Sequence, residues 1–203
     1  CVHFGRTSPC TDRIIEAGVS RVVVGAKDPN PRVNGKGIRA LRKAGVSVDM
    51  ISDLDLGREA KAIIAPFTTM IRKDRPYIVA KIASTLDGRI ATSTGASQWI
   101  TSEPARRVVH YLRNRVDGIM VGAGTVNADN PSLTVRFHQK PGSSRNPRRI
   151  VCDGSLKTNP AAKVYTSYRR DGRLSSPIVV HTQKAKESAR QTFDARDISR
   201  IQL

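Results

Sequence analysis

Four consecutive segments, "SRVVVGA", "DPNPRVNGKG", "GIRALRKAG" and "VSVDMI", most constrain what this chain can fold into. The first is a short β-branched run that reads as a buried strand. The second holds two prolines and two glycines and reads as a loop. The third is helical and is stopped by Gly45. The fourth is a second strand. Strand, helix and strand at this spacing predict a βαβ unit with parallel strands. A short helix precedes it in "TDRIIEAG", with Thr11 or Asp12 as the N-cap and Gly18 just past its end. A longer, interrupted helix follows in "DLDLGREAKAIIAPFTTMIRKD", capped near Ser52 or Asp53. It ends before Pro76, which disfavours the helical conformation at Arg75.

A domain boundary is expected near residues 72–76, giving domains 1–74 and 75–203. The second domain is expected to open with a strand, "PYIVAKIAS". The turn "TLDGRIA", the loop "TSTGASQW" and a helix from "TSEPARR" follow, with Ser102 as N-cap. "DGIMVGAG", "RRIVCD" and "PIVVHT" are further strands, the last two separated by a polar stretch rich in Lys, Arg and Ser. No internal repeat is visible. The fold class is α/β.

The chain has 203 residues, 38% of them hydrophobic and 26% charged, which is enough for a packed core. No apolar run approaches the roughly 18 residues of a membrane span. No charged-then-apolar leader is present, so a cytoplasmic protein is expected. Thirty-five basic residues against 17 acidic ones give a net charge of +18. That suits nucleic acid or phosphorylated small molecules. The basic residues are scattered and only 4% of the chain is aromatic, which favours the small molecules. The sequence leaves a homo-oligomer open.

Cys1 and Cys10 lie nine positions apart, and Cys152 sits in a strand-like run. Three cysteines so placed are no disulfide framework, and Cys152 reads as a core residue. A zinc hydrolytic site needs three protein ligands and an open position for water. Cys1 and Cys10 can supply two thiolates, the second at a helix start. They can equally be incidental small residues. His3 is too close to Cys1 to complete the set without a strained chelate.

From Cys1 to Val48, the run with "CVHFGRTSPCTDRIIEAG" and "DPNP" closely resembles the deaminase domain of the bifunctional riboflavin-biosynthesis deaminase/reductase family. From Arg75 to Arg136, "RPYIVAKIASTLDGRIATSTGASQWITSEPARRVVHYLRNRVDGIMVGAGTVNADNPSLTVR" resembles the first half of that family's reductase domain. The resemblance implies a partial cytidine-deaminase-like α/β/α domain followed by a partial dihydrofolate-reductase-like domain. It implies Zn2+ and NADPH as cofactors and phosphoribosylated pyrimidines as substrates. Cys1 and Cys10 match two of the three zinc ligands. The histidine ligand and the proton-shuttling glutamate have no counterpart here. This chain is therefore expected to be a fragment lacking both ends and inactive as a deaminase.

For the reductase, "GAGTVN" is not the dinucleotide fingerprint, because Asn127 stands where the last glycine belongs. The resemblance instead matches Ala83, Trp99, Thr125 and Asp129 to cofactor-contacting positions. It matches Ser97, Arg113, Leu133 and Arg136 to substrate-contacting ones. Arg113 and Arg136 can grip a ribose phosphate through forked hydrogen bonds. Taken without the resemblance, Arg113 is a solvated helix face, Trp99 a core residue and Arg136 a merely exposed side chain. Lys81 is a weaker candidate for a catalytic role. The alternatives are a nucleic-acid deaminase, disfavoured by the wide cysteine spacing, and a basic non-catalytic binding module.

Overall fold

The computed structural model describes residue 2 and residues 8–136, 146–166 and 176–203. They divide into two compact units, Cys1–Lys81 and Ile82–Leu203. The division falls a few residues beyond the 74–75 boundary expected from the sequence. Among the described residues, no helix is long and apolar enough to cross a membrane.

The first unit is the βαβ motif with helices at either end. Strands β1 (Arg21–Val24) and β2 (Ser47–Met50) pair in parallel, Val22 opposite Val48. Helix α2 (Lys36–Lys43) connects them and buries Leu41 against Val46 and Val48. Helix α1 (Cys10–Glu16) begins earlier than expected. Its N-cap is Pro9, which has no side-chain acceptor to offer, and Thr11 is instead buried inside the first turn. The interrupted helix is two helices, α3 (Leu54–Ile63) and α4 (Ala65–Lys73). Asp53 caps α3, its carboxylate accepting the Leu56 N–H at 2.8 Å. Pro66 sits in the first turn of α4, where its missing N–H costs nothing.

The expected strand at Pro76–Ser84 does not form. The segment forms no strand among the described residues, and Ile78, Val79 and Ile82 are exposed. β-propensity measures fit to a neighbouring strand, and among the described residues no strand pairs with this segment.

The second unit is built on a parallel sheet of β3 (Gly118–Gly122), β4 (Arg148–Cys152), β5 (Ile178–His181) and β6 (Ser199–Gln202), in that spatial order. Helix α5 (Glu103–Arg115) leads into β3. Helices α6 (Ala123–Asp129), α7 (Lys163–Thr166) and α8 (Glu187–Asp194) lie in the crossovers. Ser102 holds the N-cap position of α5 but makes no side-chain cap bond. Val151 and Val179 pair across the middle of the sheet, fully buried. Val126, Leu133, Val164, Tyr165 and Phe193 close over them.

One reading changes here. Cys152 is exposed, because the alternation along β4 buries Arg149 and Val151 and turns Cys152 the other way. The polar stretch after β4 holds a buried hydrogen-bond network. Asp153 accepts the Thr158 N–H at 2.7 Å, and Thr158 shares a 2.8 Å hydrogen bond with the Tyr165 hydroxyl. Burial, with the Asp153 charge nearby, pushes the Tyr165 hydroxyl up to about 12. Tyr165→Phe is expected to cost about 1 kcal/mol in a urea titration, the usual net worth of one hydrogen bond. A loss of less than about 0.3 kcal/mol would show that Thr158 repairs the bond elsewhere.

Candidate functional site

Parallel strands place all their carboxyl ends on one edge of a sheet, where α/β proteins bind ligands. Here β3, β4 and β5 are neighbours in register, with Gly122 opposite Cys152 and Cys152 opposite Val180. β3 runs directly into α6 at Gly122, while β4 and β5 end in the polar segments 153–155 and 182–184. These two segments are tied together. The Thr182 hydroxyl and backbone N–H both donate to the Gly154 carbonyl, at 2.8 and 3.0 Å. Gly154, Ser155, Thr182, Gln183, Lys184 and Leu203 line a cleft there of about 500 Å³. None of these six residues was singled out from the sequence. The signal available was two strand runs, "RRIVC" and "PIVVH", each followed at once by polar residues.

Two turns of one design deliver the next residues. Thr85 accepts the Arg89 N–H on its hydroxyl at 2.9 Å, and its own N–H donates to the Arg89 carbonyl at 2.8 Å. Thr92 and Ala96 repeat the arrangement at 3.0 and 2.9 Å. Each turn needs a left-handed residue, supplied by Gly88 at φ 80° and Gly95 at φ 82°. The second turn ends at Ser97, whose hydroxyl donates to the Asp129 carboxylate at 3.1 Å. Asp129 is the last residue of α6. A negative charge is disfavoured at a helix C-terminus, so this carboxylate is held there by Ser97 rather than by its own helix.

Trp99 is not a core residue. It is 68% exposed, with the Arg106 guanidinium 4.2 Å from its ring centre. Such a cation over an indole face fixes the ring's orientation. Arg106 is itself held through a hydrogen bond to the Thr101 carbonyl. Thr125 is exposed in the first turn of α6. Ala83 is half-buried in the extended segment ahead of the first Thr–Gly turn, and Lys81 is exposed in the other unit.

The chain after α6 turns back along α5. Asn130 takes the left-handed conformation that ends α6 and accepts the Lys163 N–H at 2.8 Å. Leu133 also lies in the left-handed region, at φ 55°, and its side chain is buried in the core. Any contact it makes with a ligand is thus through its backbone. Arg113 donates to the Thr134 carbonyl at 3.2 Å, and the Arg136 N–H donates to Nδ1 of His110 at 3.0 Å. Arg113 is not a solvated helix face. Its Nε is buried without a hydrogen-bond partner among the described residues. Burial, and then the Arg136 charge, lower its pKa. The structure therefore joins Ser97 to Asp129 in one contact and gathers Arg113, His110 and Arg136 in another.

Cys10 is exposed at the start of α1, while Cys1 and His3 lie outside the described residues. Among the described residues, no three His, Cys, Asp or Glu side chains gather as a metal centre. The described residues by themselves do not fit a zinc site.

Residues 76–203 match the family model described as the RibD C-terminal domain. The chain is 44% identical over 190 residues to the riboflavin biosynthesis protein RibD of Aquifex aeolicus, covering 93% of this chain and 50% of that protein. Among solved structures it is similar to Acinetobacter baumannii RibD, with a TM-score of 0.76 at 31% identity, over 100% of this chain and 53% of that one. It is also similar to a Thermotoga maritima diaminohydroxyphosphoribosylaminopyrimidine deaminase/5-amino-6-(5-phosphoribosylamino)uracil reductase, with a TM-score of 0.74 at 33% identity. That match covers 100% of this chain and 59% of the other. The chain spans about half the length of the relatives it matches.

Proposed function

The chain belongs to the RibD family, and from that premise we propose that its second unit is part of an NADPH-dependent reductase. The substrate is 5-amino-6-(5-phosphoribosylamino)uracil, and the product carries a ribityl group, a step toward riboflavin. The observation that carries this reading is the Ser97–Asp129 hydrogen bond. Ser97 matches a substrate position and Asp129 a cofactor position, and hydride transfer requires substrate and cofactor to lie side by side.

The sheet edge suits a dinucleotide. It offers exposed or half-buried hydroxyls at Thr125 and Ser155 and a cation at Lys184. Ala83, Trp99, Thr125 and Asp129 would hold NADPH, which when bound would supply the hydride for reducing the ribosyl group in its open imine form, carbon gaining the hydride and nitrogen a proton. Ser97 would orient the substrate through its hydroxyl. Arg113 and Arg136 would hold the substrate phosphate by charge-assisted hydrogen bonds.

For the first unit the reading is narrower. We infer that it corresponds to part of a deaminase domain acting on 2,5-diamino-6-ribosylamino-4(3H)-pyrimidinone 5′-phosphate. Cys1 and Cys10 would each contribute a thiolate toward zinc. No deamination step is derived from the described residues.

The only tryptophan in the chain is Trp99, so its fluorescence reports on one place. In the full-length parent, with any tryptophan outside these 203 residues replaced by Phe, NADPH is expected to quench Trp99 emission and to gain emission by energy transfer. Trp99→Phe should remove both signals while leaving some NADPH binding. Saturable NADPH binding with Trp99 emission unchanged would overturn the placement of the cofactor beside Trp99. Failure to oxidise NADPH with the phosphoribosylaminouracil would overturn the reductase reading.

A further inference from the structure

His110 lies in the middle of α5, 4% exposed, and has no role in the site as read so far. A buried histidine on a helix is by default a packing residue. Two observations set this one apart. The Arg136 backbone N–H points at Nδ1, at 3.0 Å. Arg113 follows three residues later on the same helix, one turn along, and donates to the Thr134 carbonyl two residues before Arg136. Two α5 side chains thus grip both polarities of one short backbone stretch.

An imidazole accepts on Nδ1 only when that nitrogen keeps its lone pair, so the ring must be neutral and carry its proton on Nε2. We propose that His110 is a positioning residue: its neutral ring pins the Arg136 backbone while Arg113 pins Thr134, fixing the spacing of the two arginine side chains that meet the substrate phosphate. The phosphate role rests on the reductase reading above; the clamp itself rests on the hydrogen bonds. The charges facing the ring are consistent with it. Burial, then Arg113 from α5 and Arg136 from the loop, holds the His110 pKa down to about 4.

The arrangement has a chemical purpose. Two arginines side by side repel, and a loop carrying one of them drifts away unless it is tied. The tie must not be cationic, or it adds to the repulsion. Nor can it be a carboxylate, which would neutralise the arginines and compete with the phosphate. A neutral acceptor on the helix meets both demands.

The test uses the full-length parent with ribose 5-phosphate as the probe. His110→Leu removes the acceptor. His110→Asn places an amide oxygen near the position of Nδ1. His110→Leu is expected to weaken ribose 5-phosphate binding about tenfold, the worth of one hydrogen bond. His110→Asn should recover most of that loss, and NADPH binding should stay within about twofold in both. Hydrogen exchange at the Arg136 amide should be slow in the wild-type and Asn proteins and fast in the Leu variant. Equal weakening in the Leu and Asn variants would show a packing residue and overturn the proposal. So would an Arg136 amide that exchanges rapidly in the wild-type protein. If wild-type protein does not bind ribose 5-phosphate, the substrate reading falls, and the Arg136 amide still decides the clamp.

Discussion

Arg136→Ala in the full-length parent is expected to weaken substrate capture by the reductase by roughly tenfold to a hundredfold. Arg136 is exposed, and its backbone is held by His110. Beneath it, Arg113 is partly buried, with an Nε that has no partner among the described residues. Burial, and then the Arg136 charge, lower the Arg113 pKa, so the two cations already interact unfavourably. An anion arriving between them relieves that repulsion as well as forming its own bonds. One charge-assisted contact to a phosphate is worth about 1.5–3 kcal/mol, and about 1.4 kcal/mol is a factor of ten. Arg136→Lys should recover only part of the loss, because an ammonium lacks the forked geometry. NADPH affinity should change little, since Trp99, Thr125 and Asp129 are untouched. Steady-state reduction with substrate varied, beside an NADPH titration, decides the matter. An unchanged kcat/KM with a collapse of NADPH binding would move Arg136 out of the substrate's reach and into the cofactor's.

The parts of this molecule that read well from sequence are those where one local rule is unopposed. The βαβ unit is marked by β-branched runs and by Gly45, and the Asp53 cap by its place before an amphipathic turn. Elsewhere the outcome depends on partners that sequence spacing does not reveal. Cys152 looked like core, yet the register of β4 turned Arg149 inward instead. Residues 76–84 are of strand type, but among the described residues no strand pairs with them. The Asp153–Thr158–Tyr165 network sits in a stretch that the sequence marked only as polar. The site was legible in a similar, partial way. The resemblance brought forward Ser97, Asp129, Arg113 and Arg136. It did not show that the first two touch, nor that His110 stands beneath the last. Gly154 and Thr182 are joined only because β4 and β5 are neighbours, a fact of topology with no local motif.

The second large effect is a loss of stability in mild acid. In the unfolded chain a histidine titrates near 6.5. In the folded second unit, burial and then the charges of Arg113 and Arg136 hold His110 down to about 4. Between those values the unfolded state binds a proton that the folded state refuses. Stability from this group is therefore fully present above about pH 6.5 and is lost as the pH falls toward 4. At about 1.4 kcal/mol per unit, the whole window amounts to up to about 3 kcal/mol, a large part of the margin of a small domain. The carboxylates add a slope of the same sign at lower pH. Arg107 holds Glu103 below its usual range and Arg200 does the same for Asp194, so their share is lost only as those groups protonate. Thermal unfolding of this 203-residue chain, followed by Trp99 emission, isolates the second unit, because the only tryptophan lies there. The Tm should fall steadily from pH 6.5 to pH 4.5. In His110→Leu the absolute Tm is lower, since the Arg136 N–H loses its acceptor, but the slope across that window should flatten. A wild-type slope that survives in the Leu variant would place the titrating group elsewhere. It would also mean that the fold does not hold His110 neutral through that window, so that burial and the charges of Arg113 and Arg136 fail to lower its pKa.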